Sequence, residues 1–153
     1  MKYIYIITLL VALTGCQSKN RIFSENQELS PQVEWLKHDV KTFSVPIKET
    51  APSYSFSIAF RYTEGIASKS IKVKVVEISP SKKEVTNIYD LQIIDENGEY
   101  IGEPALSIFD SEHLVEKNKK YTEKGTYTYK ISHEMPVEAL SMAMEIGVLL
   151  DKY

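Results

Sequence analysis

Apolar and polar residues alternate along most of the chain from Phe43 onward. The clearest stripe runs from Tyr54 to Tyr62, where aromatic and aliphatic residues alternate with serine, alanine and arginine. A period of two is typical of a β-strand with one buried face. Further strands are predicted at residues 43–47, 71–78, 89–93, 127–131 and 142–150. Without a long amphipathic helix, this pattern predicts an all-β fold, an antiparallel β-sandwich of jelly-roll or immunoglobulin-like type.

Three positions refine the predicted strands. Pro46 lacks a backbone N–H, so its strand is expected at a sheet edge or at a bulge. The alternation changes phase at Val76, which predicts a β-bulge there. Asn97 and Gly98 form a dipeptide that tolerates positive φ, and they predict a tight turn after the strand that carries Leu91.

Three segments show weaker patterns. Residues 24–37 lack periodicity and are expected to run over the surface before the sheet begins. Residues 102–121 are expected to form a long connection with one short strand near residues 106–109. The predicted final strand, residues 142–150, is expected to follow a loop or a single helical turn, because Pro136 suits a first helical turn.

The first residues have the order of a secretory signal peptide. Lys2 is followed by an apolar stretch from Tyr3 to Leu13. At about 1.5 Å per helical residue this stretch reaches roughly 16 Å, too short for a hydrocarbon core of about 30 Å. The ending Leu-Thr-Gly-Cys resembles a bacterial lipoprotein box, in which cleavage precedes the cysteine and lipid is attached to it. We therefore expect Cys16 to carry a covalent lipid; the alternative is a secreted protein with a stray thiol.

These patterns divide the chain into three parts. Residues 1–15 are the signal peptide, residues 16–37 are a tether and an extended segment leading into the sheet, and residues 38–153 are the β-sandwich domain. The net charge of −3 becomes −4 once the segment with Lys2 is removed, which argues against nucleic acid as a partner. The polar tether has no acidic run of the kind found in surface-exposed lipoproteins of Bacteroidetes. By that resemblance we expect an outer-membrane protein that faces the periplasm.

No constellation of residues predicts catalysis or a cofactor. The three histidines, His38, His113 and His133, lack metal-ligand spacing, and His133 is expected at the rim of the sheet with a hydrogen-bond partner. Residues 95–99 gather oxygen ligands that Ca²⁺ could use, but a solvated hairpin tip explains them as well. No nucleophile elbow, P-loop or dinucleotide fingerprint occurs. We therefore expect no enzymatic activity and no resident metal. We also expect no cofactor other than the lipid on Cys16.

Two aromatic residues fall outside the clean alternation. Trp35 and Tyr100 are candidates for contact with a partner, since exposed aromatics often mark interaction surfaces. The alternative is that each side chain closes one end of the sandwich.

Nearly the whole mature chain resembles one known family. The resemblance rests on the lipoprotein box at Cys16, on an extended segment that carries Trp35, and on motifs at residues 40–45, 54–62, 97–102, 125–131 and 144–149. Met135 follows the fourth of these motifs at the expected distance. In order and spacing these features resemble the GldH-type gliding-motility lipoproteins of Bacteroidetes. Tyr100 departs from the pattern, because tryptophan is expected there, and the loop at residues 62–70 differs in composition.

The resemblance implies a function. It implies an outer-membrane lipoprotein that acts as a non-enzymatic accessory subunit of the gliding-motility and associated secretion machinery, with protein partners in that apparatus. A glycan-binding jelly-roll lipoprotein is the alternative function. It requires two or more aromatic side chains in a coplanar row on an exposed face.

Overall fold

The computed structural model describes residues 20–153 and shows an all-β chain of antiparallel strands. The strands are β1 (Arg21–Glu28), β2 (Glu34–Leu36), β3 (Lys41–Ile47), β4 (Tyr54–Thr63), β5 (Ser70–Ile78), β6 (Glu84–Gln92), β7 (Glu103–Ala105), β8 (Ile108–Lys119), β9 (Gly125–His133), β10 (Ala139–Ser141) and β11 (Ala143–Lys152). The predicted all-β class is confirmed.

Two sheets pack face to face. One has the strand order β1-β11-β4-β8-β7 and the other has the order β3-β9-β5-β6, while β2 and β10 form a small separate ladder. Alternate side chains of each sheet point into one hydrophobic core. Phe56 of the first sheet stacks on Tyr129 of the second, with ring centroids 4.7 Å apart. The sandwich architecture is therefore confirmed as well.

Several local predictions are also confirmed. All five residues of the β4 stripe, from Tyr54 to Tyr62, are buried. Pro46 lies on β3, which is an edge strand of the four-stranded sheet. A turn at residues 95–99 follows β6 and is closed by a hydrogen bond from the Asp95 N–H to the Glu99 carbonyl of 2.9 Å. Gly98 alone adopts positive φ there, at 87°.

Two segments form more strand than predicted. Within residues 24–37, expected to run over the surface, most of β1 pairs with β11 and β2 pairs with β10. Within residues 102–121, β8 is a strand of 12 residues rather than part of a long connection. The inward positions of β8 include Ser111 and His113, opposite Phe60 and Ile58 of β4. These polar residues hide the alternation by which a strand is recognised.

One further prediction is wrong and another is incomplete. No bulge occurs at Val76, because β5 pairs with β6 and β9 in unbroken register through that residue. Val76 is a partly exposed apolar residue on the outer face, which is common on protein surfaces. The segment before β11 begins as a loop at residues 134–138, as one of the two alternatives predicted, but the short strand Ala139–Ser141 follows and pairs with Glu34–Leu36.

The two ends of the sandwich differ in construction. The Arg21 end comprises the start of β1, the end of β11 and the short loops at residues 48–53, 79–83 and 120–124. The Trp35 end comprises the β2–β10 ladder and the connections at residues 64–69 and 93–102.

Candidate functional site

Trp35 lies at the centre of β2 and is completely buried, with 0% of its surface exposed. Its indole N–H donates to the Asp39 carbonyl over 2.8 Å, and its ring meets the His133 ring edge-on at 5.5 Å. A side chain in this position cannot reach a partner in this conformation. Its contacts are those of a residue that closes the end of the sandwich.

His133 is buried rather than at the rim, with 1% of its surface exposed. Its Nδ1 accepts a hydrogen bond of 3.3 Å from the Met135 N–H, while its Nε2 has no partner among residues 20–153. Burial is the main cause that lowers the pKa of His133. The prediction that His133 lies at the rim is wrong, because the β2–β10 ladder covers the end of β9. The alternation of apolar and polar residues did not indicate that ladder.

Tyr100 is partly buried in an aromatic cluster with Tyr62 and Phe109. Its hydroxyl accepts a hydrogen bond of 2.9 Å from the Gly65 N–H. The Tyr62 hydroxyl donates to the Ile101 carbonyl over 2.6 Å, and the Ile93 carbonyl lies 3.1 Å from the same oxygen. Burial raises the pKa of Tyr62 to about 12. Tyr100 therefore holds two connections of the Trp35 end together.

A groove of about 380 Å³ lies on the outer face of the five-stranded sheet. Its floor includes Ala59 of β4 and Leu149 of β11. Gly147 pairs with Ala59, and a Cβ at Gly147 would lie 1.8 Å from the Asn26 amide oxygen. The small residues Ala59 and Gly147 therefore form the low centre of the groove. Longer side chains from β1 and β8 form its sides. We call this the outer groove.

Two arginines bridge carboxylates along the outer groove. Arg21 contacts Glu112 at 2.7 Å and Asp151 at 3.1 Å. Arg61 contacts Asp110 and Glu145, each at 2.6 Å. For Arg61, hydrogen bonding to Asp110 and then to Glu145 outweighs burial and raises the pKa. The guanidinium groups are therefore held in fixed positions by neighbouring carboxylates.

The outer groove carries more negative than positive charge. Its lining includes Glu103, Asp110, Glu112 and Glu145 in addition to the two arginines, and Asp151 lies beside Arg21. Sequence reasoning placed Arg61 on the outward face of its strand but did not bring these residues together. They come from strands far apart in the chain, so only the sheet order assembles them.

A polar cluster between β5, β6 and β8 was also missed. Lys119 contacts Glu77 and Glu116, each at 2.7 Å, and Tyr89 donates a hydrogen bond to Glu116. Burial opposes the charge on Lys119, but hydrogen bonds to Glu116 and Glu77 outweigh it and raise the pKa. Every member of the cluster has a partner, which is typical of a structural network rather than a reactive one.

The turn at residues 95–99 is organised by one carboxylate. Asp95 Oδ1 accepts hydrogen bonds from the N–H groups of Asn97, at 2.8 Å, and Glu99, at 2.9 Å. The hydrogen bond to Glu99 is the main cause that lowers the pKa of Asp95. Within residues 20–153, no three His, Cys, Asp or Glu side chains come close enough to hold a metal ion.

Cys16, the predicted lipid site, and the predicted signal peptide lie outside the described residues. Among residues 20–153 there is no helix with the length and apolar character to cross a membrane.

Comparison with known proteins identifies the family. A search of curated proteins gave no match. One solved structure is similar, a family GH115 4-O-methyl-α-glucuronidase with specificity for decorated arabinogalactans, at 11% identity and a TM-score of 0.47. The similarity covers 90% of this chain but 18% of that structure, and so weak a likeness carries no argument about activity. The family model of the GldH lipoprotein matches residues 21–150. The chain therefore belongs to the GldH lipoprotein family, a family of gliding-motility-associated lipoproteins that is not known to be enzymatic.

Proposed function

We propose that this protein is a non-enzymatic accessory subunit of the gliding-motility and associated secretion machinery. It is anchored to the outer membrane by lipid on Cys16 and faces the periplasm. Membership of the GldH lipoprotein family supports the motility role and the anchor. The polar residues 17–21, which include no acidic residue, support the periplasmic orientation.

The outer groove is the observation that carries the partner-binding role. It is concave, lies on a rigid sheet and presents carboxylates whose positions are fixed by Arg21 and Arg61. Its excess negative charge favours a basic protein segment, because complementary charge steers encounter and fixes orientation.

A pull-down from solubilised outer membranes tests the proposal. The lipidated wild type is expected to recover motility or secretion proteins, and the double variant Glu103→Gln with Glu112→Gln is expected to recover them at least about tenfold less. The matched control is Glu96→Gln with Glu99→Gln, at the exposed hairpin tip, which removes the same charge. Recovery of no such protein by the wild type, or equal recovery by both variants, would contradict the proposal.

The glycan-binding alternative lacks the aromatic row that it requires. Among residues 20–153, Tyr153 is the one aromatic side chain that is largely exposed, at 62%. Trp35 is buried, and Tyr100 is packed against Tyr62 and Phe109. The acidic outer groove contains no exposed aromatic platform, so the protein-binding role is favoured.

A further inference from the structure

The loops of the Arg21 end carry a cluster of exposed lysines. The five are Lys48 after β3, Lys82 and Lys83 between β5 and β6, and Lys120 and Lys124 between β8 and β9. None of the ion pairs found within residues 20–153 involves any of them. Three separate loops therefore bring uncompensated positive charge to one end of an acidic protein. We call these residues the lysine cluster.

Acidic groups at the same end do not cancel the lysine cluster. Glu49 is paired with Lys152 at 2.6 Å, which removes it as a counter-charge. Glu123 accepts a hydrogen bond of 2.7 Å from Ser81, and Glu84 is exposed at the start of β6. Arg21 is shared by Asp151 and Glu112, and Lys119 is shared by Glu77 and Glu116, so each of these groups adds one negative charge beneath the loops. The exposed loops themselves hold five lysines against two such carboxylates and are therefore basic.

The tether places the lysine cluster near the membrane. Only residues 17–20 separate Cys16 from Arg21, the first residue of β1. At roughly 3.6 Å per residue, a fully extended tether spans about 18 Å at most. A lipid on Cys16 therefore keeps the Arg21 end within a short distance of the headgroups, while the Trp35 end points away along the strands.

Two apolar side chains at the Arg21 end fit the same orientation. Ile22 is 44% exposed and Tyr153 is 62% exposed, and both adjoin Lys152 in a shallow depression. Tyrosine is enriched at membrane–water interfaces, where its ring and hydroxyl meet apolar and polar surroundings. The Arg21 end thus combines lysines, which can contact lipid phosphates, with Ile22 and Tyr153, which can contact the membrane–water interface.

We infer that the Arg21 end is a membrane-docking surface for anionic phospholipid headgroups. The inference rests on the proposed anchor at Cys16 and goes beyond it, because the lipid holds the domain while the lysine cluster orients it. Each basic residue near an anionic surface strengthens binding about fivefold. Docking by this end holds the strands upright and leaves the outer groove, on the side of the sandwich, accessible to a partner.

Vesicle sedimentation tests the docking surface without the lipid. The protein is the mature chain, residues 16–153, with Cys16→Ser. It is expected to bind vesicles of phosphatidylcholine and phosphatidylglycerol at least about tenfold more tightly than vesicles of phosphatidylcholine alone, and added salt should weaken the binding. The variant Lys82→Glu with Lys83→Glu should reduce binding to the anionic vesicles at least about 25-fold.

The matched control makes the same charge change at the other end of β5. Lys69→Glu with Lys72→Glu should change binding less than about threefold. Equal binding of the parent protein to both kinds of vesicle, or equal loss in the two double variants, would overturn the inference. The lipid anchor is tested separately, by labelling cells with a palmitate analogue. Absence of label on the wild type would contradict the anchor, independently of the vesicle result.

Discussion

The Trp35 end and the Arg21 end of the sandwich differ in how their connections are packed. At the Trp35 end, Trp35, His133 and Tyr62 are buried, and hydrogen bonds tie the connections to the core. At the Arg21 end, short loops expose lysines that make little internal contact. Both ends therefore have a buried core, which at the Arg21 end includes Tyr54 and Tyr121. They differ in that the loops of the Arg21 end, beside the predicted anchor, carry the lysine cluster on their surface.

Trp35→Ala should give the largest effect on stability. It removes a fully buried side chain that packs on His133 and spans the small β2–β10 ladder. Large-to-small changes of this kind cost about 3–5 kcal/mol. Urea denaturation of the mature chain measures the change. A loss below about 1 kcal/mol would show that the burial of Trp35 contributes little to the stability of the fold.

Tyr62→Phe should cost about 1–2 kcal/mol, because the Ile101 carbonyl loses the hydroxyl that donates to it, while the Ile93 carbonyl keeps the Ile101 N–H as a donor. Tyr153→Phe at the Arg21 end serves as the control. Its hydroxyl is hydrogen-bonded to Ser55, but the side chain is largely exposed, so water can replace the contact. Urea denaturation measures the loss in free energy of unfolding for both variants. Equal losses would contradict the expectation that the buried Tyr62 hydroxyl contributes more than the exposed Tyr153 hydroxyl.

Acidification should weaken the Trp35 end through His133. Because its pKa is lowered in the folded state, the unfolded chain takes up the proton first, and stability falls as the pH drops below about 6.5. The slope from one such group is at most about 1.4 kcal/mol per pH unit.

The variant His133→Asn isolates this contribution. The pKa of His113 is also lowered by burial, but His113 is present in both proteins. The free energy of unfolding of wild type and variant should therefore converge between pH 7 and pH 5. A constant difference over that range would mean that His133 does not titrate differently in the folded state.

Lys82→Glu with Lys83→Glu should have the smallest effect on stability, within about 0.5 kcal/mol, since both side chains are exposed and make no ion pair within the described residues. Thermal unfolding measures it. A larger loss would mean that the lysine cluster supports the fold, and reduced vesicle binding by this variant would then reflect unfolding.

Alternation in the sequence predicted the strands whose apolar residues line the core. The β4 stripe and the Pro46 edge follow from local residue types, because a half-buried strand must alternate and proline cannot donate to a ladder. β1 and β8 were not predicted as full strands, because polar residues such as Gln27 and Ser111 interrupt the apolar positions that Phe23 and Phe109 contribute to the core. Gln27 donates to the Thr42 carbonyl, and Ser111 donates to the Phe60 carbonyl. Such bonds depend on the neighbouring strand and leave no periodic signal.

The site was less predictable than the fold. The pairing of Arg21 with Asp151, and of Arg61 with Glu145, joins residues from opposite parts of the chain. Nothing in local spacing indicates those partners, since the order β1-β11-β4-β8 decides which strands become neighbours. The sequence likewise did not decide whether Trp35 is buried or exposed. Its burial depends on the β2–β10 ladder, which joins residues about 100 positions apart in the chain.

The orientation of the lipidated protein tests the central claim most directly. Lipid on Cys16 would leave an introduced cysteine as the sole free thiol, so a fluorophore can be placed at the exposed position Ser81→Cys on the Arg21 end or Ala67→Cys on the Trp35 end. Both proteins are purified with their lipid and inserted into vesicles that contain a headgroup quencher. Strong quenching at residue 81 and weak quenching at residue 67 is the expected result. Equal quenching at the two positions, or stronger quenching at residue 67, would contradict the account.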